Sequence, residues 1–271
     1  MNYEIITFAT MKIVFYKYQG AGNDFIMIDN RDLSFNKNNT KQINNLCDRR
    51  FGIGADGLIL LEPSKKADFK MVYFNADGNE GSMCGNGGRC IVAFAKQLGI
   101  IKNKTEFDAI DGLHLATIEN DIISLKMINV DKIDTFNSHC FLNTGSPHHV
   151  EFNENIGELD IVSKGKKIRF GTPYLNGGTN VNFAEQTTKN SFKVRTYERG
   201  VENETLACGT GVTAVAIAAH KSKLTTSNNI NIDVIGGKLS VRFTEENNKY
   251  SNVYLTGPAV FVFKGEFIAN D

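Results

Sequence analysis

Two short stretches of the chain carry its chemistry. MCGNGGRC (Met83 to Cys90) and ACGTGVTA (Ala207 to Ala214) each set a cysteine directly before a Gly-x-Gly turn and an apolar helical run. A cysteine there sits beside unpaired backbone N–H groups and the positive end of the helix dipole, which favour thiolate over thiol near neutral pH. The next residues, Gly85–Asn86 and Gly209–Thr210, present N–H donors to an anion, and glycine lets the backbone come close to it. Placed face to face, the two stretches would hold one carboxylate between two helix N-termini, with a sulfur on each side of the attached carbon. A thiolate on one side can remove the α-proton and a thiol on the other can return a proton to the opposite face, which inverts the stereocentre. The helix dipoles would stabilise charge developing on the carboxylate. The chemistry that needs this symmetry is a two-base racemase or epimerase working without a cofactor; no pyridoxal signature is evident.

Taken singly, these residues have blander readings. A free cysteine is more often a small buried hydrophobe than a catalyst, and Cys47, Cys90 and Cys140 are read that way. For Cys84 and Cys208 the duplication and the glycine turns reverse that prior. Metal binding is disfavoured, because Cys84 and Cys90 lack C-x-x-C spacing and no histidine pair accompanies them. The glycine runs contain no GKS/GKT and no complete G-x-G-x-x-G, so they are weak phosphate loops. His148–His149 alone would be surface histidines, and Glu198–Arg199 alone an exposed ion pair of little consequence.

The elements that must position the cysteines follow from periodicity. Strands are expected at Lys12–Lys17, Phe25–Asp29, Leu58–Leu61 and Lys70–Phe74, with a helix over Lys41–Arg49 capped by Thr40. Asn86–Leu98 reads as a helix closed by Gly99, followed by strand-like runs at Glu106–Ala109, Leu113–Ile118 and Ile122–Met127. The second half repeats the mixture. Strands are expected within His139–Phe152 and at Asn180–Ala184 and Phe192–Tyr197, then a helix over Gly211–Ser222. Strands at Asn231–Val234, Lys238–Phe243, Val253–Leu255 and Val260–Phe263 complete it.

The repeat is arithmetical as well. Cys84 and Cys208 are 124 positions apart, and Gly22 of GAGND and Gly145 of GSPHH are 123 apart. Asn75 and Arg199, each after an aromatic strand end, lie nine positions before their cysteines. Three landmarks in register favour an internal duplication into two similar mixed α/β (α+β) domains facing each other. The halves are drawn as residues 1–128, joined by the C-terminal strand 258–271, and residues 129–257.

Composition bounds the rest. The 271 residues are ample for a buried core, and thirty basic residues balance thirty acidic ones, so no overall field favours nucleic acid or a membrane surface. No apolar run reaches the roughly 18 residues of a spanning helix. The N-terminus carries Glu4 and no basic start, against a secretory signal. Five cysteines, an odd number, fit free thiols in a reducing cytoplasm better than a disulfide framework.

In order, GAGNDF, GIGADG, FNADGNEGSMCGNGGRC, GSPHHV, GGTNVNF, YERGVENETLACGTG and TGPAVFVF resemble the diaminopimelate epimerase family from about Met11 to the C-terminus. The resemblance implies a cofactor-free, metal-free enzyme that interconverts LL- and meso-diaminopimelate, on the route to lysine and peptidoglycan. It implies two domains, each a small antiparallel barrel or half-barrel around a central helix, with the active site in the cleft between them. It allows a homodimer and requires no nucleic-acid or membrane partner. Carried over by motif, Cys84 and Cys208 are the acid/base pair, and His148 and Glu198 tune the thiols, His148 for Cys84 and Glu198 for Cys208. Gly85–Asn86 and Gly209–Thr210 hold the reacting carboxylate. Asn23, Asn75, Asn180, Glu198 and Arg199 read the far amino-acid end, where a carboxylate suits Arg and Asn donors and an ammonium suits a carboxylate.

Two positions depart from the family. Ser146 stands where many members have Asn, and its hydroxyl can still reach substrate directly or through water. Gly57 stands where some members have Gln, so no side chain contacts substrate from that position. Met1–Thr10 precede the family's usual start, as an upstream start or a disordered extension would. Rival readings are another cofactor-independent amino-acid racemase or isomerase of this fold, a thiol-disulfide switch joining Cys84 to Cys208, and a cysteine amidase built on Cys84 and His148. The switch leaves two carboxylate cradles unexplained, and the amidase leaves Cys208 idle.

Overall fold

The computed structural model describes residues 11–269; Met1–Thr10 lie outside them. The first half contains β1 (Met11–Gly20), β2 (Asn23–Asp29), α1 (Thr40–Cys47), β3 (Gly57–Glu62), β4 (Phe69–Asn75), α2 (Gly85–Gln97), β5 (Lys104–Ala109), β6 (Gly112–Glu119) and β7 (Ile122–Lys126). β8 (Ile133–Thr135) follows as its last strand, and the second half contains β9 (Cys140–Asn143), β10 (Pro147–Phe152), α3 (Ile161–Arg169), β11 (Asn180–Thr188), β12 (Ser191–Glu198) and β13 (Asn203–Thr205). After these come α4 (Gly209–Lys221), β14 (Asn229–Val234), β15 (Gly237–Glu246), β16 (Lys249–Pro258) and β17 (Val260–Ala269).

The duplication is visible in the pairing. In the first half, β1–β2 is antiparallel, β2–β3 parallel, β3–β4 antiparallel, β4–β5 parallel, and β5–β6–β7 antiparallel. The second half repeats that series over β9, β10, β11, β12, β14, β15 and β16. Antiparallel neighbours dominate, as expected, but each half also contains two parallel pairs. A parallel neighbour needs a crossover, and helices lie in all four connections. An eighth strand then leaves each half and pairs with the other: β8 lies against β9, and β17 runs antiparallel along β1 from Met11↔Ala269 to Gln19↔Val260. The halves are stitched further by β7 against β16.

The two helices at the heart of the molecule, α2 and α4, each have thirteen residues. Gly85–Val92, Phe94 and Ala95 are buried in α2, and Gly209 and Gly211–Ala219 in α4. A helix apolar on all sides must be enclosed, and strands of its own half surround each one. None among the described residues is long and apolar enough to cross a membrane.

Several local expectations shift. The cap of α1 is Asn39, whose Oδ1 accepts from the Gln42 N–H at 3.0 Å; Thr40 is already helical. That helix stops at Cys47 because Asp48 turns extended and its carboxylate instead binds the Arg50 and Phe51 N–H groups, both at 2.7 Å. The strand expected within His139–Phe152 breaks into β9 and β10 at a turn where Gly145 takes φ +115°. Helix α3 is absent from the periodicity reading, since Lys and Arg dilute its apolar face. Its signals are the Asp160 cap, accepting from Ser163 N–H at 3.0 Å, and Ile161, Gly165 and Ile168 at helical spacing. Gly165 lets α3 lie on β12, because a Cβ there would fall 2.4 Å from Cβ of Tyr197.

At the join, the fully buried Leu255 of β16 packs under both central helices. Its Cδ2 lies 3.2 Å from a Cβ placed on Gly85 and 3.0 Å from one placed on Gly209. Leu255→Ala should cost about 2–5 kcal/mol of stability, because the rigid glycine contact above cannot collapse into the gap. Urea unfolding measures this; a midpoint within error of wild type would show that the helix ends do not rest on Leu255.

Candidate active site

The site is built on the apposed N-termini of α2 and α4. Cys84 and Cys208 are the residues preceding these helices, both extended (φ −108°, ψ 126° and φ −117°, ψ 110°), and neither side chain caps its own helix. The first helical backbone bonds are Gly88 N–H to Cys84 O at 2.7 Å and Val212 N–H to Cys208 O at 2.9 Å. The N–H groups of residues 85–87 and 209–211 therefore precede both ladders. Between the helices Gly85 and Gly209 meet directly: a Cβ on Gly209 would lie 3.4 Å from the Gly85 Cα. A Cβ at either position would fill that van der Waals contact and crowd the Leu255 side chain, at 3.2 Å from Gly85 and 3.0 Å from Gly209.

Hydrogen bonds lock this contact. Asn86 Nδ2 crosses between the halves to Ala207 O at 3.0 Å and also reaches Asn23 Oδ1 at 3.3 Å. The fully buried Arg89 donates to Asn86 Oδ1 at 3.0 Å and to Gly85 O at 3.3 Å. Asn23 faces the first thiol, with Cys84 Sγ 3.7 Å from its Oδ1, and is itself held by Asp56, which accepts from Asn23 Nδ2 at 2.6 Å. Asp56 belongs with Asp24 to an acidic pair bridged by Arg49 at 2.7 Å to each.

On the other side, a chain of polar groups leads away from the second thiol. Cys208 Sγ lies 3.5 Å from Thr210 Oγ1, which lies 3.2 Å from Ser146 Oγ, which lies 3.0 Å from His148 Nε2. Asn182 Nδ2 closes the far end at 3.1 Å from His148 Nδ1. His148 thus communicates with Cys208, and neither of its ring nitrogens bonds Cys84, contrary to the expected pairing. Its strand explains this: β10 runs beside β11 in the second half, with His148 opposite Asn180. Asn180 donates to Ser146 Oγ at 3.0 Å and accepts the Arg199 N–H at 2.9 Å.

Glu198 and Arg199 do not pair with each other. Glu198 Oε2 accepts from Thr205 Oγ1 at 2.9 Å, and the exposed Arg199 guanidinium donates to Gly177 O at 2.8 Å. Asn75 sits at the exposed end of β4, opposite Gly57. Strand register makes Glu198, not Arg199, the counterpart of Asn75, since Phe74 opposite Leu58 corresponds to Tyr197 opposite Val181. Asp56, Thr205 and Asn182 support the site and were not singled out from sequence. Asp56 lies inside the GIGADG motif, and Asn182 is two residues from Asn180 on the same strand face, a period-2 signal that could have found it.

Burial overrides the helix ends in setting the thiols. Desolvation pushes both Cys84 and Cys208 up; the negative charge of Glu198 raises both further, and nearby helix N–H groups pull only partly back. Cys84 also raises Cys208. The sequence expectation of thiolates near neutral pH is corrected accordingly: in the unliganded protein both are neutral thiols. Burial likewise raises Glu198 above the usual carboxylate range. No group of three His, Cys, Asp or Glu with metal-holding geometry occurs among the described residues.

His148 gives a stability signature. Burial, followed by the Arg199 charge, lowers it to about 3. The unfolded chain takes up this proton below about pH 6.5, while the folded chain refuses it until about 3, so stability falls as pH drops through that window. His148→Gln should flatten the fall in urea midpoint between about pH 7 and 4.5. An unchanged slope would mean that His148 is not held neutral.

Residues 15–131 and 140–262 match the family model described as "Diaminopimelate epimerase", one segment in each half. A diaminopimelate epimerase of Flavobacterium psychrophilum is 62% identical over 250 residues, covering 92% of this chain and 98% of that protein. One of Chlorobaculum tepidum is 43% identical, covering 91% and 98%. Solved structures share the fold at low identity. A Bacillus anthracis phenazine biosynthesis protein of the PhzF family superposes with TM-score 0.76 at 12% identity, covering 96% of this chain and 100% of that one. A hydroxyproline epimerase of Agrobacterium vitis with bound trans-4-hydroxy-L-proline gives 0.68 at 14% identity, covering 96% and 93%. With both halves matched and relatives aligned over nearly their whole length, the chain belongs to the diaminopimelate epimerase family.

Proposed function

We propose that the protein interconverts LL- and meso-diaminopimelate without a cofactor, moving the α-proton between Cys84 and Cys208, and so supplies precursors of lysine and peptidoglycan. The observation that carries this is the Gly85–Gly209 contact, which turns two sets of unpaired helix N–H groups, each with its thiol, toward one place. A substrate carboxylate held by the N–H groups of Gly85, Asn86, Gly209 and Thr210 would leave its α-carbon between the sulfurs. One sulfur, as thiolate, takes the α-proton; the electron pair left on carbon delocalises into the carboxylate, where the helix ends stabilise it; the opposite thiol then protonates carbon from its own side. Glu198, a carboxylate of raised proton affinity near both thiols, and the Thr210–Ser146–His148 chain are the groups suited to hold the proton that leaves a thiol. The reaction needs free thiols, which suits a reducing cytoplasm.

The exposed Arg199 guanidinium, in no ion pair among the described residues, would meet the distal carboxylate, and the Glu198 carboxylate, likewise without a described cation partner, the distal ammonium, with Asn75 and Asn180 reading the same end. Arg199→Met should lower kcat/KM for diaminopimelate on the order of 10²-fold, if the charge-assisted contact is worth about 3 kcal/mol. A substrate with an apolar side chain should lose much less. Equal losses would place Arg199 at the reacting end or in the fold.

Single cysteine variants test the mechanism. Cys84→Ala and Cys208→Ala should each abolish epimerisation yet still exchange the α-hydrogen of one stereoisomer with deuterated water, with configuration retained. The two variants should favour opposite isomers, because each surviving sulfur faces one side of the carbon. Proton NMR and mass spectrometry of each isomer with each variant read this out. Exchange of the same isomer by both, or near wild-type epimerisation by either, would refute the two-thiol mechanism.

A further inference from the structure

Strands β3 and β4 place Gly57 opposite Asn75 and Ile59 opposite Tyr73, so the four share one face and Tyr73 is the diagonal neighbour of Gly57. The tyrosine ring leans across that diagonal. A Cβ placed on Gly57 would lie 2.6 Å from Cε2 and 3.1 Å from Oη of Tyr73. On the ring's other side, a Cβ on Gly81 would lie 2.8 Å from Cε1 and 2.9 Å from Cδ1. Neither glycine has a positive φ; Gly81 is small to make room for the ring, and a Cβ at Gly57 would meet both the ring and, at 2.5 Å, the Phe74 backbone O. Phe25 meets the ring edge to face with centroids 6.0 Å apart. The phenol is thus wedged into a built slot, and its hydroxyl occupies the space that a side chain at position 57 would need.

That hydroxyl hydrogen-bonds no other described residue. Burial and four anionic or potentially anionic groups, Cys84, Asp56, Glu198 and Cys47, hold it as a neutral phenol. The second half solves the same position differently. There Asn180 stands where Gly57 does, and Thr196 stands where Tyr73 does, with Thr196 Oγ1 already donating to Asn182 Oδ1 at 3.0 Å. The polar group that β11 supplies in the second half therefore has its first-half counterpart on β4, not on β3.

We propose that Tyr73 is a specificity-determining residue whose hydroxyl oxygen accepts a hydrogen bond from the distal ammonium of the substrate, in place of a side chain at position 57. The inference rests on the diaminopimelate epimerase reading. The surroundings choose the ammonium over the distal carboxylate, because the carboxylates of Asp56 and Glu198 both act on the hydroxyl and make its slot a negative one.

Tyr73→Phe keeps the ring and deletes only the oxygen, so folding is preserved and Tm should be unchanged. KM for LL-diaminopimelate should rise about 10-fold with kcat within a factor of about two, the loss of one hydrogen bond to a charged group. The inhibition constant of 2-aminopimelate, which lacks the distal ammonium, should not change. If wild-type protein turns over diaminopimelate and Tyr73→Phe matches it in KM, the Tyr73 assignment is wrong and the function stands. If 2-aminopimelate weakens as much as diaminopimelate, Tyr73 shapes the pocket without reading the ammonium, and the assignment again fails. Wild-type protein inert toward diaminopimelate would remove the function and this inference with it.

Discussion

Two helix N-termini pressed against each other form an unfavourable arrangement. Each carries the equivalent of about half a positive charge, and their separation here is a glycine-to-glycine van der Waals contact. The guanidinium of Arg89, fully buried beside them, adds to the same field, and burial alone lowers its proton affinity. In water such repulsion would be screened, but this junction is packed under Leu255 and sealed by the Asn86–Ala207 bond. An anion placed between the termini relieves the repulsion from both sides at once. The rest of the molecule is a device for holding two positive ends together until one arrives.

The sheet supplies the necessary stiffness. Each half wraps its own helix, yet each sends its last strand to the other, with β17 on β1 and β8 on β9. A cleft between two loosely linked domains would let the dipoles swing apart. Here the exchange of strands and the β7–β16 pairing tie the two helix axes to one hydrogen-bonded framework. Small residues finish the job at the contacts: glycine at 85 and 209 between the helices, and glycine at 57 and 81 around Tyr73. Duplication gives the frame a near-repeat, and function depends on where the repeat is broken. Asn75 in the first half corresponds to Glu198 in the second, and Gly57 to Asn180, at equivalent registers. The repeat makes Cys84 and Cys208 counterparts, while these substitutions give the two halves different polar groups beside them.

What was legible in sequence was local. The cysteine before a glycine turn, followed by an apolar run, specifies a helix end and its thiol without any knowledge of the fold, and α2 and α4 begin directly after Cys84 and Cys208. The offset between repeats was legible for the same reason, to within one residue: bulges and loops let Arg199 share spacing with Asn75 while strand register assigns that place to Glu198. Helix α3 was obscured because its contact with β12 relies on Gly165, which scores against a helix in isolation. The destination of His148 was hidden most deeply. Its partners Ser146 and Asn182, with Thr210 beyond Ser146, come from separate elements, and the parallel pairing of β10 with β11 is what brings it beside Asn182.

Burial also decides the resting state of the thiols, and with it the order of events on the proposed reading. A helix end lowers a thiol's proton affinity, but desolvation and the Glu198 charge act the other way and prevail at both Cys84 and Cys208. Two thiolates together would repel each other in a poorly screened space, while two thiols can donate but not accept. The productive state is one of each, and it must be reached by moving a single proton to a neighbour. Glu198 qualifies because the burial that raises the sulfurs raises it too, narrowing the gap between carboxylate and thiol. Its protonation removes the negative charge that was holding both sulfurs up, so the first proton transfer favours thiolate at the site that loses it. On that reading the arriving ammonium would compete for the same carboxylate, and the arriving carboxylate for the same helix ends, so seating the substrate and ionising one sulfur are coupled through Glu198 and the two N-termini.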